Sequence, residues 1–277
     1  MQRQVHLFHK SFGFNTWIFL FLICINKSAT FKAMADNTQK KQALDSIREN
    51  ITRSGHHIYV VSGGSIPRFA YTIGVSESAG VELILAGAII YYVEEVTQII
   101  NDIAEQLKGQ RNRKSFKVSG LGSFTLRNVH SSWSTKLLLG AFDYYQKRDI
   151  PALQIVADKA HWCIDVPDMS APWSATKEPV WRWLYEAWPY PVPEDATAAT
   201  NLPALRGDRI TEVMRWEEDE WEAYVGEGSD VPYDQMRVVS IWTLIAVDES
   251  LARALHLAIG EGLWRDPGPD SEWHPWR

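Results

Sequence analysis

Residues 55–87, GHHIYVVSGGSIPRFAYTIGVSESAGVELILAG, constrain the fold of this chain more than any other stretch. Ile58, Tyr59, Val60 and Val61 are β-branched or aromatic, the residue types that suit a pleated, half-buried surface. Gly63-Gly64 supplies the positive φ that a tight reversal needs. β character resumes over residues 69–75, with Pro67 placed where a strand can begin but not where its centre can lie. Residues 81–86 are nearly all apolar, as a strand covered on both faces requires. Downstream, Ile89, Tyr92, Val93, Val96, Ile100, Ile103 and Leu107 recur three or four apart, while Glu94, Glu95, Asp102 and Glu105 take the other side. That spacing predicts an amphipathic helix lying by one stripe on the sheet. Lys108-Gly109 closes it with a cation and a C-terminal glycine.

Two short strands are expected over residues 115–119 and 123–129, joined by a Gly-Leu-Gly turn. Ser134 can cap a helix over residues 135–147, with Leu138, Ala141, Phe142 and Tyr145 as its buried stripe. Residues 153–157 and 162–166 read as the last strands of this half. Hairpins interleaved with about three helices imply an α+β fold: a mixed, mainly antiparallel sheet packed by helices. The separations are too short for serial crossovers, which excludes a doubly wound sheet.

The run FAYTIGVSESAGVELILAG, its following helix and the later YYQKRDIPALQIVADKAHWCIDVP together resemble the domain of unknown function 4262 family, over about residues 46–173. Members of that family carry an aromatic-Ala-Tyr-Thr-Ile-Gly run, a Glu-Leu strand, and an Ala-Leu-Gln-plus-Asp segment ending in a Pro-Trp pair. Tyr71, Thr72, Gly74, Glu82, Gln154 and Asp158 stand in matching places. Pro167 and Pro172-Trp173 arrive late, so that end is stretched. The resemblance identifies a family and implies no activity.

At the N-terminus, residues 1–33 combine a basic start with an apolar run over residues 17–25, the length of a signal-peptide core and too short to span a bilayer. The competing reading makes Met34 the start, followed by a helix with Leu44, Ile47 and Ile51 on one stripe and Gly55 closing it. Either way the segment is excluded from the fold, which then divides into an α+β domain over residues 34–176, a linker rich in Pro, Ala and Thr over residues 177–207, and a smaller α+β extension over residues 208–277. Eleven of the thirteen tryptophans lie from Trp162 onward. Strands are expected over residues 209–216 and 236–246, flanking an acidic run at residues 217–222. The end, GEGLWRDPGPDSEWHPWR, is irregular and too rich in tryptophan to remain a solvated tail. Trp264 and Trp273 are therefore expected as anchors against the first domain or a second copy, with Arg265 and Asp266 at the rim.

A net charge of −6 argues against a nucleic-acid partner. Two cysteines, Cys24 and Cys163, give neither a disulfide framework nor a zinc spacing and suit a reducing, cytoplasmic setting. The alternative is export if residues 1–33 are a signal peptide, and a membrane role would need residues 17–25 to act as a signal or anchor. No Gly-x-Ser-x-Gly elbow, phosphate loop or dinucleotide fingerprint is present, so no cofactor is implied. Polar residues within apolar strands, namely Arg68, Tyr71, Thr72, Glu82, Gln154 and Asp158, are the ligand-binding candidates. Such groups must be hydrogen-bonded or paired, either with a ligand or in a structural network. Glu82 pairing with Arg68, and Gln154 reaching Tyr71 or Thr72, are the expected contacts. His57, His130 and His161 are the candidates for a metal site in the alternative reading, a metal-assisted hydrolase. The preferred reading is a non-enzymatic ligand- or protein-binding domain.

Overall fold

The computed structural model describes residues 31–109, 113–228 and 231–276. Most of the expected leader therefore lies outside the described residues. Helix α1 (Phe31–Ser54) leads into β1 (His57–Val61) and β2 (Phe69–Ile73), then α2 (Val75–Ala79), β3 (Glu82–Ala86) and α3 (Val93–Leu107). Strands β4 (Ser115–Val118) and β5 (Gly122–Asn128), helices α4 (Ser131–Leu137) and α5 (Leu139–Tyr145), and β6 (Ala152–Ala157) complete the first sheet. Its strand order is β1-β2-β3-β6-β5-β4, antiparallel throughout except for the parallel pair β3–β6. The fold is α+β with a mixed, mainly antiparallel sheet.

Strands β2 and β3 are buried at every position because both faces of the sheet are covered. Leu83 and Leu85 point to the side where α3 lays Ile99, Ile100 and Ile103. Ile84 and Ala86 point the other way, toward Trp133, Trp181 and Ile47 of α1. The helix expected over residues 135–147 is two short helices, α4 and α5, that meet at Leu138, and His130 rather than Ser134 caps the first. The bend lets Gly140 sit on the aromatic pair beneath it: a Cβ there would stand 2.6 Å from the Tyr71 hydroxyl.

The segment 177–207 is not a linker. It contains a 3-10 helix (Pro179–Leu184), the strand β7 (Thr197–Asn201) and the one-turn helix α6 (Leu202–Leu205). After them come β8 (Glu212–Arg215), β9 (Glu220–Tyr224), β10 (Met236–Ser240), α7 (Ile241–Ile245), a 3-10 helix (Glu249–His256), β11 (Gly262–Trp264) and β12 (His274–Pro275). These strands form a second sheet, ordered β10-β7-β9-β8-β11-β12, in which β7 lies inside, antiparallel to β10 and parallel to β9. The small residues that resemble a linker are a packing solution: Ala198 is the register partner of Trp221, and both are buried. The inner face, with Ala198, Val213, Trp221, Ala223 and Val239, packs on Trp242, Leu244, Leu251 and Leu255.

Residues 162–166 are likewise not a strand. Cys163 enters the second core, and the amide of Ile164 donates to the Leu205 carbonyl at 2.9 Å. The two halves are also joined where the Ser65 hydroxyl donates to Glu194 at 2.7 Å and the Arg237 guanidinium donates to the Ile90 carbonyl at 2.7 Å. No described helix is long and apolar enough to cross a membrane.

If the second core is independent of the first, its central tryptophan carries much of its stability. Trp221 is 2% exposed, and its indole N–H donates to the Ala254 carbonyl at 3.1 Å. Trp221→Ala should destabilise the protein by about 3–5 kcal/mol in urea unfolding. A loss below about 1 kcal/mol would mean that residues 177–277 have no cooperative core.

Candidate functional site

The sequence-derived candidates form three separate arrangements. The first surrounds Glu82, at the head of β3 and fully buried. The Thr72 hydroxyl donates to its Oε2 at 2.5 Å and accepts from the Leu83 amide at 2.9 Å. Its Oε1 accepts from the amides of Gly74 (3.1 Å) and Ser76 (3.2 Å) and from the Tyr145 hydroxyl (2.6 Å). Glu82 thus closes the start of α2, where Gly74 adopts φ +111 and a Cβ would crowd the Gly55 carbonyl at 3.1 Å. All four donors to the carboxylate are neutral.

The expected Glu82–Arg68 pair does not form, and antiparallel pairing is the reason. The register sets Phe69 opposite Ala86, so Arg68 lies at the far end of β3 from Glu82. There its guanidinium donates to the carbonyls of Ala88 (3.1 Å) and Tyr91 (2.7 Å), holding the loop between β3 and α3. Asp165, missed as a candidate, completes this second arrangement. Its carboxylate accepts from the amides of Ala88 (3.1 Å) and Ile89 (3.2 Å) and from the Cys163 thiol (2.8 Å). Gly87, at φ +71, passes so close that a Cβ would lie 2.1 Å from the Asp165 carbonyl oxygen. Burial pushes the Asp165 carboxyl up and holds the Cys163 thiol in its protonated form. Only the aspartate of the CIDVP run marks this position in the sequence, and its role depends on a loop about 75 residues away.

Gln154 reaches neither Tyr71 nor Thr72. Its amide donates to the Pro167 carbonyl at 2.7 Å and accepts from the Met169 amide at 3.2 Å. The Tyr71 hydroxyl accepts instead from the Gly140 amide at 3.0 Å. Asp158 caps the turn after β6, bound to His161 Nδ1 at 2.7 Å and to the Ser123 amide at 2.8 Å, and these bonds hold its carboxyl below the usual range.

The three histidines proposed as metal ligands do not converge, and among the described residues no group of three His, Cys, Asp or Glu side chains is placed to hold a metal. The strand order explains this. His57 begins β1 and His130 follows β5, four strand spacings or roughly 19 Å across the sheet. His161 follows β6, which runs antiparallel to β5, and so lies at the opposite end. Each ring has a local partner: Asn50 for His57 (2.9 Å), the Ser132 hydroxyl for His130 (3.0 Å), Asp158 for His161.

The third arrangement is the outer face of the second sheet. Alternation along β8 and β9 sends Val213, Trp221 and Ala223 inward and Glu212, Met214, Glu220 and Glu222 outward. Trp264 shares the outer face, since it is the register partner of Glu212, and is 41% exposed. Trp276 lies over Gly262, where a Cβ would meet its ring at 2.6 Å, and is 50% exposed. Trp216, next in the alternation of β8, is 42% exposed. Arg215 and Arg237 fall on the inner side of their strands, and no lysine or arginine of the six strands faces outward.

Of the two expected anchors and two expected rim residues, Trp264 alone combines an exposed ring with this face. Trp273 turns inward, its indole donating to the Ser250 hydroxyl at 3.0 Å beneath the Arg265 guanidinium at 4.1 Å. Arg265 is no rim residue. It is 2% exposed and donates to the Ile210 carbonyl, to Ser250 and to Asp248. Asp266 is exposed, and its carbonyl accepts from the Ser271 hydroxyl at 2.5 Å. The tail docks on the second sheet, not on the first domain. Alternation in EWEAY could have separated Glu220 and Glu222 from Trp221, but the acidic run masks the strand.

Comparison with known proteins supports the motif resemblance. Residues 50–162, less than half of the chain, match the model of the family described as Domain of unknown function (DUF4262). The matched part resembles that family and includes Thr72, Gly74, Glu82, Gln154 and Asp158; it ends before Pro172-Trp173. No curated protein and no solved structure matches the chain.

Two outcomes follow for the first sheet. Glu82→Gln places an amide N–H among donors, and should cost about 1–3 kcal/mol by urea unfolding. An unchanged midpoint would exclude the Glu82 network as a stabilising element. His57 is a pH test. Burial, assisted by neighbouring His56, lowers its pKa from 6.5 to about 4. The unfolded chain takes up this proton first, so the contribution is complete above pH 6.5 and is lost as pH falls toward 4. Partial exposure limits it to about 1–3 kcal/mol. Comparing unfolding at pH 7 and 4.5, His57→Gln should lose less stability on acidification than the parent. Equal losses would show that His57 does not contribute.

Proposed function

We propose that this protein is a non-enzymatic binding module whose partner is a basic polypeptide segment seated on the outer face of the second sheet. The supporting observation is the composition of that face: Trp216, Trp264 and Trp276 exposed beside Glu220 and Glu222, with no outward lysine or arginine. The turn from β8 to β9 adds exposed Glu217, Glu218 and Asp219 at its border. Several exposed tryptophans on one sheet face are apolar surface of the kind that marks interaction sites. A guanidinium or ammonium over an indole contributes about 0.5–2 kcal/mol, and nearby carboxylates steer such a cation and hold it. The same charges set two copies of this face against each other, which argues against self-association through it.

The reactive groups elsewhere support binding over catalysis. The Cys163 thiol is buried and protonated, His57 is kept neutral, and the motif residues Thr72, Glu82 and Gln154 spend their polar atoms on one another, on backbone or on the Tyr145 hydroxyl.

Calorimetric titration of the full chain with a synthetic Arg-Gly repeat peptide tests the proposal, with a Glu-Gly repeat as control. The arginine peptide should bind, more weakly as salt is raised, and the glutamate peptide should not. The double variant Trp264→Ala/Trp276→Ala should weaken binding about tenfold or more with Tm unchanged, because both rings are exposed. Binding unaffected by that variant and by Glu220→Gln/Glu222→Gln would refute the assignment, as would tighter binding of an uncharged oligosaccharide.

A further inference from the structure

We propose that the basic segment seated on the outer face of the second sheet is the β4–β5 hairpin of a second copy of this chain, so that copies associate head to tail. This rests on the reading of that face as a site for a basic polypeptide and names its partner. The charge of the chain is unevenly spread. Between Glu105 and Asp143 lie seven lysines and arginines and no aspartate or glutamate. Residues 207–277, in contrast, carry sixteen aspartates and glutamates against six arginines and no lysine. Opposite charge on separate parts of one chain draws in a neighbouring copy and orients it.

The basic stretch folds into an exposed edge. Strand β4 ends the first sheet, and its alternation sends Phe116 and Val118 under α3 and Ser115 and Lys117 outward. Lys117 is the register partner of Ser123, and Lys114 stands one position before the strand. Both lysines are exposed, and neither ammonium is hydrogen-bonded or ion-paired to another described residue. Other cations of the stretch are engaged locally. Lys108 pairs with Glu105, Arg113 donates to the Ser115 carbonyl at 2.8 Å, Lys136 lies 4.5 Å from the centre of the Tyr185 ring, and Arg127 acts on the Asp168 carboxylate. Lys114 and Lys117 are therefore the charges available to a partner.

On the β8–β9 hairpin the balance is reversed. Glu217, Glu218 and Asp219 are exposed, and the one cation of the hairpin, Arg215, donates to the carbonyls of Glu217 and Glu218. None of the described ion pairs joins the two hairpins within one copy. A neighbour's lysine reaching this face meets carboxylates beside exposed indoles, the two groups that hold an ammonium. Two acidic faces repel, whereas an acidic face and a basic edge do not. The contact joins unlike surfaces, so each added copy leaves one of each kind free and association extends past a pair.

Sedimentation velocity of the full chain at about 100 μM, at low and at raised salt, tests the proposal. The mean mass should exceed that of a monomer at low salt, grow with concentration and fall as salt screens the contact. Lys114→Glu/Lys117→Glu removes the basic edge and Trp264→Ala/Trp276→Ala the face that receives it, all at exposed positions. Each variant should associate at least about tenfold more weakly than the parent, with Tm near the parent's. An equimolar mixture of the two should form a one-to-one dimer and nothing larger, because one intact surface of each kind remains. A monomeric parent, association unchanged in either variant, or a mixture no heavier than its components would each overturn the proposal. The Arg-Gly peptide separates this proposal from the reading beneath it. Lys114→Glu/Lys117→Glu keeps the acidic face and should bind that peptide as the parent does. Peptide binding by a parent that stays monomeric would leave the face in place and overturn the second copy as its occupant. Absence of both would remove the face as well.

Discussion

A carboxylate buried without a cation is the constraint from which the first half follows. An isolated ionised carboxyl in an apolar interior is too costly to persist unless its lone pairs are met. Glu82 is met by two hydroxyls and two backbone amides, drawn from β2, the start of α2 and the end of α5. To supply those donors, Thr72 must face the same end of the sheet, Gly74 must take a left-handed turn, and α5 must end against β3. The Tyr-Thr-Ile-Gly and Glu-Leu runs are therefore two halves of one hydrogen-bonded unit. Both runs lie within the residues that match the family model.

The opposite end of β3 is organised by a second buried carboxylate used in another way. Asp165 holds the amides of Ala88 and Ile89 while Arg68 holds carbonyls of the same loop, so the connection to α3 is clamped through both its donors and its acceptors. Arg237 of the second sheet reaches the Ile90 carbonyl, and its guanidinium lies 4.3 Å from the Tyr92 ring. The loop is thus the joint between the halves, and arginines are spent on it and on the inner face of the second sheet. What remains outward on that sheet is acidic and aromatic, the observation on which the proposed basic partner rests.

Much of this was legible in the residues. The spacing of Val96, Ile100, Ile103 and Leu107 places α3, the β-branched runs place β1 and β6, and the even apolar content of residues 81–86 shows a strand covered on both faces. Each signal is local, because a helix or strand must turn its apolar atoms to one side whatever its neighbours are. The strand β7 carries no such signal: Ala198 and Thr200 are strand residues only because Trp221 and Val239 fill the space beside them.

Sequence alone determined the class of fold, the order of its principal elements and the family that residues 50–162 resemble. Tertiary structure decided the partners. Period-two alternation shows that a polar residue lies on a face, but not which strand comes beside it. The β2–β3 register therefore had to be known before Arg68 could be separated from Glu82, and the strand order before His57, His130 and His161 could be set apart. The same holds at the other end of the chain. Arg265 and Trp273 look like a polar rim and an anchor for another surface. They face inward because β11 and β12 join the second sheet, and burying a guanidinium there requires the Asp248 carboxylate and the Ile210 carbonyl that only the folded chain brings to it.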